Sequence, residues 1–418
     1  MKFVADFHIH SKYSRATSKD MDLESLDKWA KIKGIKVLGT GDFTHPEWFE
    51  NLKKKLKPAE PGLFKLKNEE SLTRFILTAE ISCIYSKNGR VRKIHVVVFA
   101  PSFEAVEKIN AHLGWIGNLK SDGRPILGLD AKELAKIVLG ISQDCLIVPA
   151  HLMTPWFSLF GSKSGFDSLE ECFEEYSKYI YAGETGLSSD PAMLWRMPDG
   201  RKIALLSNSD AHSPAKIGRE ANVFDLPFLN YSSIITAIKT KDPQNFLYTI
   251  EFYPQEGKYH YDGHRSCGIV LSPKESKKYN NACPVCGKPV TIGVLNRVEE
   301  LADREEGFAL ENAVPFKSLI PLEEIIADAL GLNTGVKRVK EEYNNLIKKF
   351  GNELKILLDA SSQELKAATL SEIAEGIIRV REGRVFIEPG YDGVYGKIRI
   401  FPKGSKKHYP NKPLYGNF

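Results

Sequence analysis

Histidine and carboxylate side chains recur through the first 250 residues, and most of them lie at or near the end of a short apolar stretch. His8 and His10 are separated by one residue, as are Asp210 and His212, so in an extended strand both members of a pair point to the same side. The remaining members of the set are Asp42, His45, Glu80, His95, His151 and Glu184. Six of the ten histidines belong to this set, which argues against a chance scatter of unrelated core or surface residues.

This combination of side chains predicts a metal site. Imidazole and carboxylate ligands suit transition metals rather than Ca²⁺. Ten ligands are too many for one ion, so we expect two or three divalent ions, chosen from Zn²⁺, Mn²⁺, Fe and Mg²⁺. Such sites serve displacement at phosphorus, where the ions activate a water and neutralise charge on the attacking and leaving oxygens. We therefore predict a phosphoester hydrolase with Asp210, His151 and Glu80 as catalytic residues.

Alternating strands and helices must bring these side chains together. The apolar patterns predict strands over 2–10, 35–40, 74–82, 91–99, 145–150, 179–183 and 203–207. Helical patterns lie between them, over 22–33, from Pro46 onward, and over 102–113 and 131–139. Repeated units of this kind favour a parallel sheet covered by helices, either a barrel or an open doubly wound sheet. In both, catalytic loops gather at the carboxyl ends of the strands, where we expect the metal residues.

A second metal site is predicted from three clustered cysteines. The candidate ligands are His264, Cys267, Cys283 and Cys286. They form an H-x2-C and a C-x2-C knuckle separated by 15 residues, a spacing typical of structural zinc. His264 is the fourth ligand favoured by spacing, with His260 and Asp262 as alternatives. Four protein ligands leave no open position, so we expect one structural Zn²⁺.

Length and composition limit the remaining possibilities. A chain of 418 residues exceeds the about 250–300 residues that one hydrophobic core serves, so more than one domain is expected. Changes in residue composition and hydrophobic periodicity suggest the segments 1–250, 251–312 and 313–418. Cys83, Cys145 and Cys172 lie singly in apolar stretches and read as buried thiols. The sequence has no apolar run of the about 18–20 residues needed to span a membrane. Its first residues also lack the apolar core of a signal peptide, so we expect a cytoplasmic protein.

The C-terminal segment reads as mostly helical, with a basic and aromatic tail. Helices are predicted over 322–330, 336–350 and 370–380, and a hairpin over 385–401. Residues 391–418 hold six Lys or Arg against one Asp, with tyrosines and Phe401 between them, while the net charge of the chain is only +5. Basic groups for phosphates and aromatic rings for bases suit single-stranded or distorted DNA. A solvated basic tail is the alternative.

Several of these motifs resemble a known superfamily. His-x-His-Ser at 8–11, Gly-Asp-Phe-Thr-His-Pro at 41–46, Glu80, and Ser-Asn-Ser-Asp-Ala-His-Ser-Pro at 207–214 resemble the polymerase and histidinol phosphatase (PHP) superfamily. The resemblance implies a distorted (β/α)7 barrel with a trinuclear metal site. The positions that match its ligands are His8, His10, Asp42, His45, Glu80, His95, His151, Asp210 and His212. Asp42 and His45 depart from the adjacent Asp-His of the family, and Glu184 has no counterpart.

The zinc module narrows the resemblance. Residues 259–267, 283–289 and 297–304 closely resemble the endonuclease Q family of archaeal DNA-repair enzymes, along nearly the whole chain. That resemblance implies cleavage of DNA on the 5′ side of deaminated bases (uracil, hypoxanthine, xanthine) and abasic sites. The alternatives are a histidinol-phosphatase-like small-molecule phosphatase, a 3′-5′ exonuclease and a catalytically inactive binding protein. A sliding clamp would be a further partner, but the C-terminus carries no clear Gln-x-x-hydrophobic motif.

The loop after His151 is the candidate substrate-binding segment. It combines aromatic rings with small and basic side chains, of which we single out Trp156, Phe157, Ser162 and Lys163. We expect it to help form a pocket for a base flipped out of the duplex, with Trp156 or Phe157 stacking on it. Packing of these rings onto the barrel is the alternative.

Overall fold

The computed structural model describes residues 1–67 and 71–402. The strands are β1 (Lys2–Asp6), β2 (Val37–Gly39), β3 (Leu56–Pro58), β4 (Phe64–Leu66), β5 (Arg74–Lys87), β6 (Arg90–Ala100), β7 (Ile126–Leu127), β8 (Leu146–Pro149), β9 (Ala182–Glu184), β10 (Ala204–Leu206), β11 (Ala221–Asp225), β12 (Phe246–Glu251), β13 (Asp262–His264), β14 (Ile269–Leu271), β15 (Phe316–Ser318), β16 (Phe386–Glu388) and β17 (Lys397–Arg399).

The α-helices alternate with these strands in the first half and dominate the last hundred described residues. They are α1 (Leu23–Lys33), α2 (Pro46–Lys55), α3 (Phe103–Ile116), α4 (Ala131–Ile141), α5 (Leu169–Phe173), α6 (Pro191–Leu194), α7 (Pro198–Lys202), α8 (Tyr231–Thr240), α9 (Pro273–Lys278), α10 (Val294–Leu301), α11 (Leu322–Leu330), α12 (Lys337–Phe350), α13 (Glu353–Leu358), α14 (Ser362–Ala368) and α15 (Ser371–Arg381). Among the described residues no helix is long and apolar enough to cross a membrane.

Seven strands surround the site in the order β1, β2, β5, β6, β8, β9, β10, and the other edge of β1 pairs antiparallel with β11, which pairs in turn with β12. β1 pairs with β2 and β2 with β5 in parallel, and β9 pairs with β10 in parallel. Leu152 N donates to Glu184 O at 2.9 Å, which joins the end of β8 to β9. A bridge between Ile9 and Ala211 brings the segment after β10 back to the segment after β1. The predicted α/β class with a distorted barrel is confirmed.

One strand of the barrel runs against the expected direction. β5 and β6 pair as a long antiparallel hairpin, and β6 pairs antiparallel with β8. The hairpin turns at Asn88 and Gly89, whose φ angles of 54° and 71° are those of a two-residue turn between antiparallel strands. His95 therefore lies within β6 opposite Ser82, and Glu80 lies within β5. The expectation of parallel strands is wrong for β6, which is antiparallel to both of its neighbours, so His95 reaches the site from within a strand.

The segments after the barrel pack against it. β15 joins the main sheet beside β12, and β13 and β14 form a separate hairpin that carries His264. α11 contacts α12 and α15 within the helical region, and α13 contacts α1 of the barrel. The hairpin predicted over 385–401 is confirmed by the antiparallel pair β16 and β17. Residues 403–418 of the predicted DNA-binding tail lie outside the described residues.

The ends of α1 show why the first helix was predictable. Asp22 accepts a hydrogen bond from Ser25 N at the start of the helix, and Gly34 ends it with a φ of 93°. A Cβ atom at Gly34 would lie 2.5 Å from Oδ1 of Asn352, so only glycine fits where the barrel meets α13. The turn that ends α1 thus also sets the contact with the helical region.

Candidate active site and cysteine cluster

Four predicted residues converge from separate parts of the barrel. Donor atoms of His8, His10, Glu80 and Asp210 all lie within 4.8 Å of one another. His10 Nε2 is 3.1 Å from Asp210 Oδ1 and 3.2 Å from Glu80 Oε2. His8 Nε2, His10 Nε2 and Asp210 Oδ1 are buried atoms without a hydrogen-bond partner among the described residues. Because buried polar atoms are normally satisfied, this group fits a divalent cation placed between them.

A second group shares the Glu80 carboxylate. Glu80 Oε1 is 2.6 Å from His95 Nδ1 and 3.1 Å from His151 Nε2, and the two ring nitrogens are 3.3 Å apart. These three residues form a separate set of candidate metal ligands. One oxygen of Glu80 thus faces the first group and the other faces the second. A carboxylate in this position can bridge two ions, as two-metal hydrolytic sites require.

Two further predicted ligands lie behind the histidine rings. Glu184 is 2.9 Å from His8 Nδ1, and it also accepts from Asn208 Nδ2 at 2.8 Å. Asp42 is 3.0 Å from His10 Nδ1, and its other oxygen accepts from Ser11 N at 2.6 Å. Carboxylates at Nδ1 fix the ring orientation and leave Nε2 free to coordinate a metal. In this arrangement Glu184 and Asp42 orient the rings and belong to neither converging group.

His45 and His212 also stand apart from both groups. His45 stacks on Tyr13 with ring centroids 4.4 Å apart, and its buried Nδ1 has no hydrogen-bond partner among the described residues. His212 Nδ1 contacts Asp210 O at 2.9 Å, and its ring centre is 4.5 Å from that of His10. Both rings therefore border the site, but neither belongs to one of the two groups of candidate metal ligands.

Burial and charge together determine the protonation of the site. Burial opposes ionisation of Glu80, yet His95, His8 and the Arg124 guanidinium lower the pKa of this carboxyl well below its usual range. Burial likewise opposes protonation of His8, but the Glu184 and Glu80 carboxylates raise the pKa of that ring well above its usual value. Burial lowers the pKa of His95 to about 4, so its ring is neutral near neutral pH and able to coordinate a cation.

Backbone conformation at three site residues is unusual. Asp42, His151 and Asp210 have φ angles of 49°, 31° and 46°, a region that residues other than glycine rarely occupy. Each such residue costs about 1–3 kcal/mol and persists only where the surroundings hold it. The strand ends therefore carry strain at the positions that aim predicted ligands into the barrel.

The cysteine cluster forms as a compact tetrad. Donor atoms of His264, Cys267, Cys283 and Cys286 lie within 4.8 Å of one another. Backbone N–H groups at Val285 and Cys286 help to lower the pKa of the Cys283 thiol to about 7, against the opposing effect of burial. His260 and Asp262 are not part of the tetrad, since Asp262 instead accepts from Gly293 N at 2.6 Å. The tetrad fits a tetrahedral metal with four protein ligands.

Two solved structures are similar to this chain over nearly its whole length. The lesion-specific endonuclease Q of Pyrococcus furiosus is 33% identical, with a TM-score of 0.85 over 96% of this chain and 95% of that chain. An endonuclease Q in complex with a 27-mer duplex substrate, with an abasic lesion at the active site, is 32% identical, with a TM-score of 0.83 over 96% and 97%. This chain belongs to the endonuclease Q family.

Sequence relatives add two facts about this endonuclease Q member. Residues 321–384 match the family described as the MJ0043 C-terminal domain. The protein MJ0043 of Methanocaldococcus jannaschii is 36% identical over 263 residues, which are 60% of this chain and 32% of that protein. The chain thus spans about a third of the length of this relative. The family predicted from the zinc-module motifs is confirmed, and the chain is an enzyme of the endonuclease class.

The loop after His151 divides its aromatic residues between two roles in this endonuclease Q member. Phe157 packs on His95 with ring centroids 4.8 Å apart, and its carbonyl accepts from His95 N at 3.1 Å. Trp156 is 50% exposed, and Lys93 Nζ lies 5.0 Å from its ring centre. Ser162 and Lys163 are exposed. Trp156 is therefore the ring that a ligand can reach, whereas Phe157 covers a candidate metal ligand.

A cavity of about 550 Å³ lies on the far side of Thr154 from His151, and sequence reasoning did not foresee it. Its walls come from the loops after β8 and β9, the segment before β13 and the final hairpin, and include Thr154, Ser188, Lys258, His260 and Tyr395. Thr154 Oγ1 is 3.1 Å from His151 Nδ1, which ties one wall to the second metal group. His260 is 3% exposed, and its Nδ1 has no hydrogen-bond partner among the described residues.

Proposed function

We propose that this protein is a DNA-repair endonuclease that hydrolyses the phosphodiester bond on the 5′ side of deaminated bases (uracil, hypoxanthine, xanthine) and of abasic sites. The observation that carries the proposal is the Glu80 carboxylate, whose two oxygens face two separate groups of metal-binding side chains. Membership of the endonuclease Q family supports DNA as the substrate. The known relative with an abasic lesion at its active site supports lesions as the target.

The chain's own residues would prepare the reaction. Divalent cations, when bound, supply an acidic water as nucleophile and neutralise charge on the attacking and leaving oxygens. His8, His10 and Asp210 would hold one cation, His95 and His151 another, and Glu80 would contact both. The carboxylates behind His8 and His10 keep these rings aimed at the first cation. The side chain of Asp210 is 30% exposed, whereas those of His10 and Glu80 are fully buried. The substrate would therefore approach the first cation from the side of Asp210.

The cavity beside Thr154 is a suitable place for the extruded base. Uracil and hypoxanthine carry a ring N–H beside a carbonyl oxygen, where cytosine and adenine carry a bare ring nitrogen beside an amino group. Burial lowers the pKa of His260 to about 4, so this ring in the cavity wall is neutral, and its buried Nδ1 would accept a hydrogen bond from such an edge once the ring turns toward the cavity. Extrusion costs a few kcal/mol, and less at a weakened pair, which favours lesions.

The exposed part of the loop after His151 would hold the flanking DNA. Trp156 offers a ring for stacking, and Ser162 and Lys163 offer polar and cationic contacts for phosphates. Phe157 would act from beneath, by keeping His95 in place. Lys397 and Arg399 on β17 would add cationic contacts for phosphates.

The cysteine tetrad would hold one structural Zn²⁺. Its ligands would be His264, Cys267, Cys283 and Cys286, and in the described part of the chain the small apolar cluster around it has Leu271, Cys283 and Val290 as its buried members. So small a core gives little stability by itself, so the ion would supply much of it. We propose residues 1–250 as the catalytic barrel, 251–312 as the zinc module and the described residues 313–402 as a helical DNA-contacting region.

Product analysis on defined duplexes tests the proposal. A duplex with one deoxyuridine, deoxyinosine or abasic site, incubated with Mn²⁺ or Mg²⁺, should give a single cut 5′ of the lesion. The Asp210→Asn variant should lose cleavage while still binding the duplex. Cleavage only from undamaged 3′ ends would indicate an exonuclease instead. Hydrolysis of phosphomonoesters without any cut in the lesion duplex would indicate a small-molecule phosphatase.

A further inference from the structure

Arg124 brings a positive charge into the barrel site. Its Nη1 lies 3.1 Å from Glu80 Oε2, and its side chain is 26% exposed. Among the ion pairs of the described residues, it is the one Lys or Arg paired with a carboxylate of either metal-binding group. The pairing joins residues 44 positions apart, which explains why motif spacing gave no sign of it.

The backbone around Arg124 is fixed on both sides. Gly123 N donates to Tyr13 O at 3.0 Å, and a Cβ atom at Gly123 would lie 2.2 Å from Asp42 Oδ2. Pro125 O accepts from Ser82 N of β5 at 3.0 Å. The loop between α3 and β7 is thus held against the segment that carries His10 and against the strand that carries Glu80. Because this loop is held at both ends, the fold itself directs the Arg124 guanidinium into the site.

The guanidinium and a metal ion would use the same oxygen. Glu80 Oε2 is also the oxygen that lies 3.2 Å from His10 Nε2 in the first metal-binding group. A cation bound there would repel Arg124 and take over part of the Glu80 charge. An arginine released in this way carries a planar fork of donors that matches two phosphate oxygens.

We propose that Arg124 binds non-bridging oxygens of the scissile phosphate once the first metal-binding group is occupied. The inference rests on the proposed phosphodiester hydrolysis and adds a catalytic residue to it. Arg124 would thus have two successive partners. Without metal it neutralises Glu80, and with metal and substrate it stabilises the charge that develops on the phosphate.

Two arginine variants and one control test this role. Arg124→Gln removes the charge, Arg124→Lys keeps the charge but not the fork, and Lys120→Gln removes an exposed charge from the same loop. In single-turnover cleavage at saturating Mn²⁺, Arg124→Gln should lose about 10²–10³-fold in rate, Arg124→Lys should recover part of it, and Lys120→Gln should match wild type. Wild-type rates for Arg124→Gln would overturn the proposal.

A second readout does not depend on cleavage. In Mn²⁺ titrations without DNA, Arg124→Gln should bind Mn²⁺ more tightly than wild type, because the guanidinium no longer competes for Glu80. Weaker binding would show that Arg124 only supports the site, and would overturn the competition on which the proposal depends. If wild type fails to cut the lesion duplex, the proposed function fails; if only the Arg124 results disagree, that function stands and this inference falls. Arg124→Lys serves both measurements if Arg124→Gln does not fold.

Discussion

Glu184 contacts the His8 ring at Nδ1, with its two carboxylate oxygens 2.9 and 3.1 Å from that nitrogen. The opposite ring nitrogen, Nε2, faces the first metal-binding group. The pairing connects the last residue of β9 with the segment that follows β1, and so couples two walls of the barrel. In this position Glu184 contacts the His8 ring and lies outside both metal-binding groups.

This position predicts a graded effect for Glu184→Gln. The amide keeps the size of the side chain but loses the charge that holds the His8 ring, so Mn²⁺ affinity should fall about 10–100-fold. Calorimetric titration of Mn²⁺ into the metal-free protein measures the change. Glu80→Gln should lower the number of ions bound, because it removes a shared ligand. A loss of bound ions in Glu184→Gln equal to that in Glu80→Gln would mean that Glu184 coordinates a metal directly.

A buried ion pair between the barrel and the helical region predicts a pH-dependent stability. Lys33 Nζ is 2.6 Å from Glu353 Oε2, and Tyr343 donates to the same oxygen at 2.6 Å. Burial opposes ionisation, but Lys33 and Tyr343 lower the pKa of Glu353 below its value in the unfolded chain. The resulting stabilisation is therefore present above the unfolded pKa and is lost as the pH falls through the folded pKa.

The matching variant is Glu353→Gln. Removing one partner of a buried pair costs about 3–5 kcal/mol, since it leaves the Lys33 charge without compensation. Thermal unfolding at neutral pH should show a lower Tm, and the difference from wild type should shrink in acid. The exposed pair of Lys108 and Glu104 offers the control, because Glu104→Gln should change Tm very little. Equal shifts in the two variants would contradict a special role for the buried pair.

The cysteine tetrad predicts a separable zinc requirement. Cys283→Ser should release one equivalent of Zn²⁺ and unfold the module around β13 and β14, because the thiolate is a ligand that a hydroxyl cannot replace. Metal analysis together with thermal unfolding measures both effects. Cys145→Ala is the control, since Cys145 is a buried thiol outside the tetrad. Retention of zinc by Cys283→Ser would exclude Cys283 as a ligand.

The exposed indole of Trp156 predicts selective recognition of damaged DNA. Loss of a stacking ring costs about 1–3 kcal/mol, so Trp156→Ala should weaken binding to a lesion duplex by about 5–150-fold. Fluorescence anisotropy with lesion and undamaged duplexes provides the comparison. Trp115 is 92% exposed on α3, so Trp115→Ala controls for general loss of an exposed ring. Equal losses on both duplexes in Trp156→Ala would remove the stacking role.

Local sequence signals predicted the framework and part of the site. The one-residue spacing of His8 and His10, and the tight knuckles of Cys283 and Cys286, require only the geometry of a strand or a turn. The ends of α1 were equally local, since a capping Asp22 and a terminal Gly34 act within a few residues of the chain. These features could be predicted because nothing distant is needed to form them.

The remaining features depend on tertiary contacts. Sequence spacing could not show that Asp42 lies behind the His10 ring while Asp210 belongs to the first metal-binding group. Both residues follow a strand, and they differ only in the parts of the chain that fold against them. The Asn88–Gly89 pair was a readable hairpin signal that the strand–helix pattern obscured, and it reverses β6. The contact of Arg124 with Glu80 and the cavity beside Thr154 are each formed by segments far apart in sequence. No local sequence pattern therefore predicts them.

Anomalous scattering from a crystal of the Mn²⁺-loaded protein would show whether cations bind on both sides of Glu80. We expect two peaks on opposite sides of the Glu80 carboxylate, one bounded by His8, His10 and Asp210 and the other by His95 and His151. In Glu80→Gln crystals grown in the same way, the peaks should weaken or disappear. Manganese located away from these side chains, or a wild-type map without a peak beside Glu80, would contradict the account.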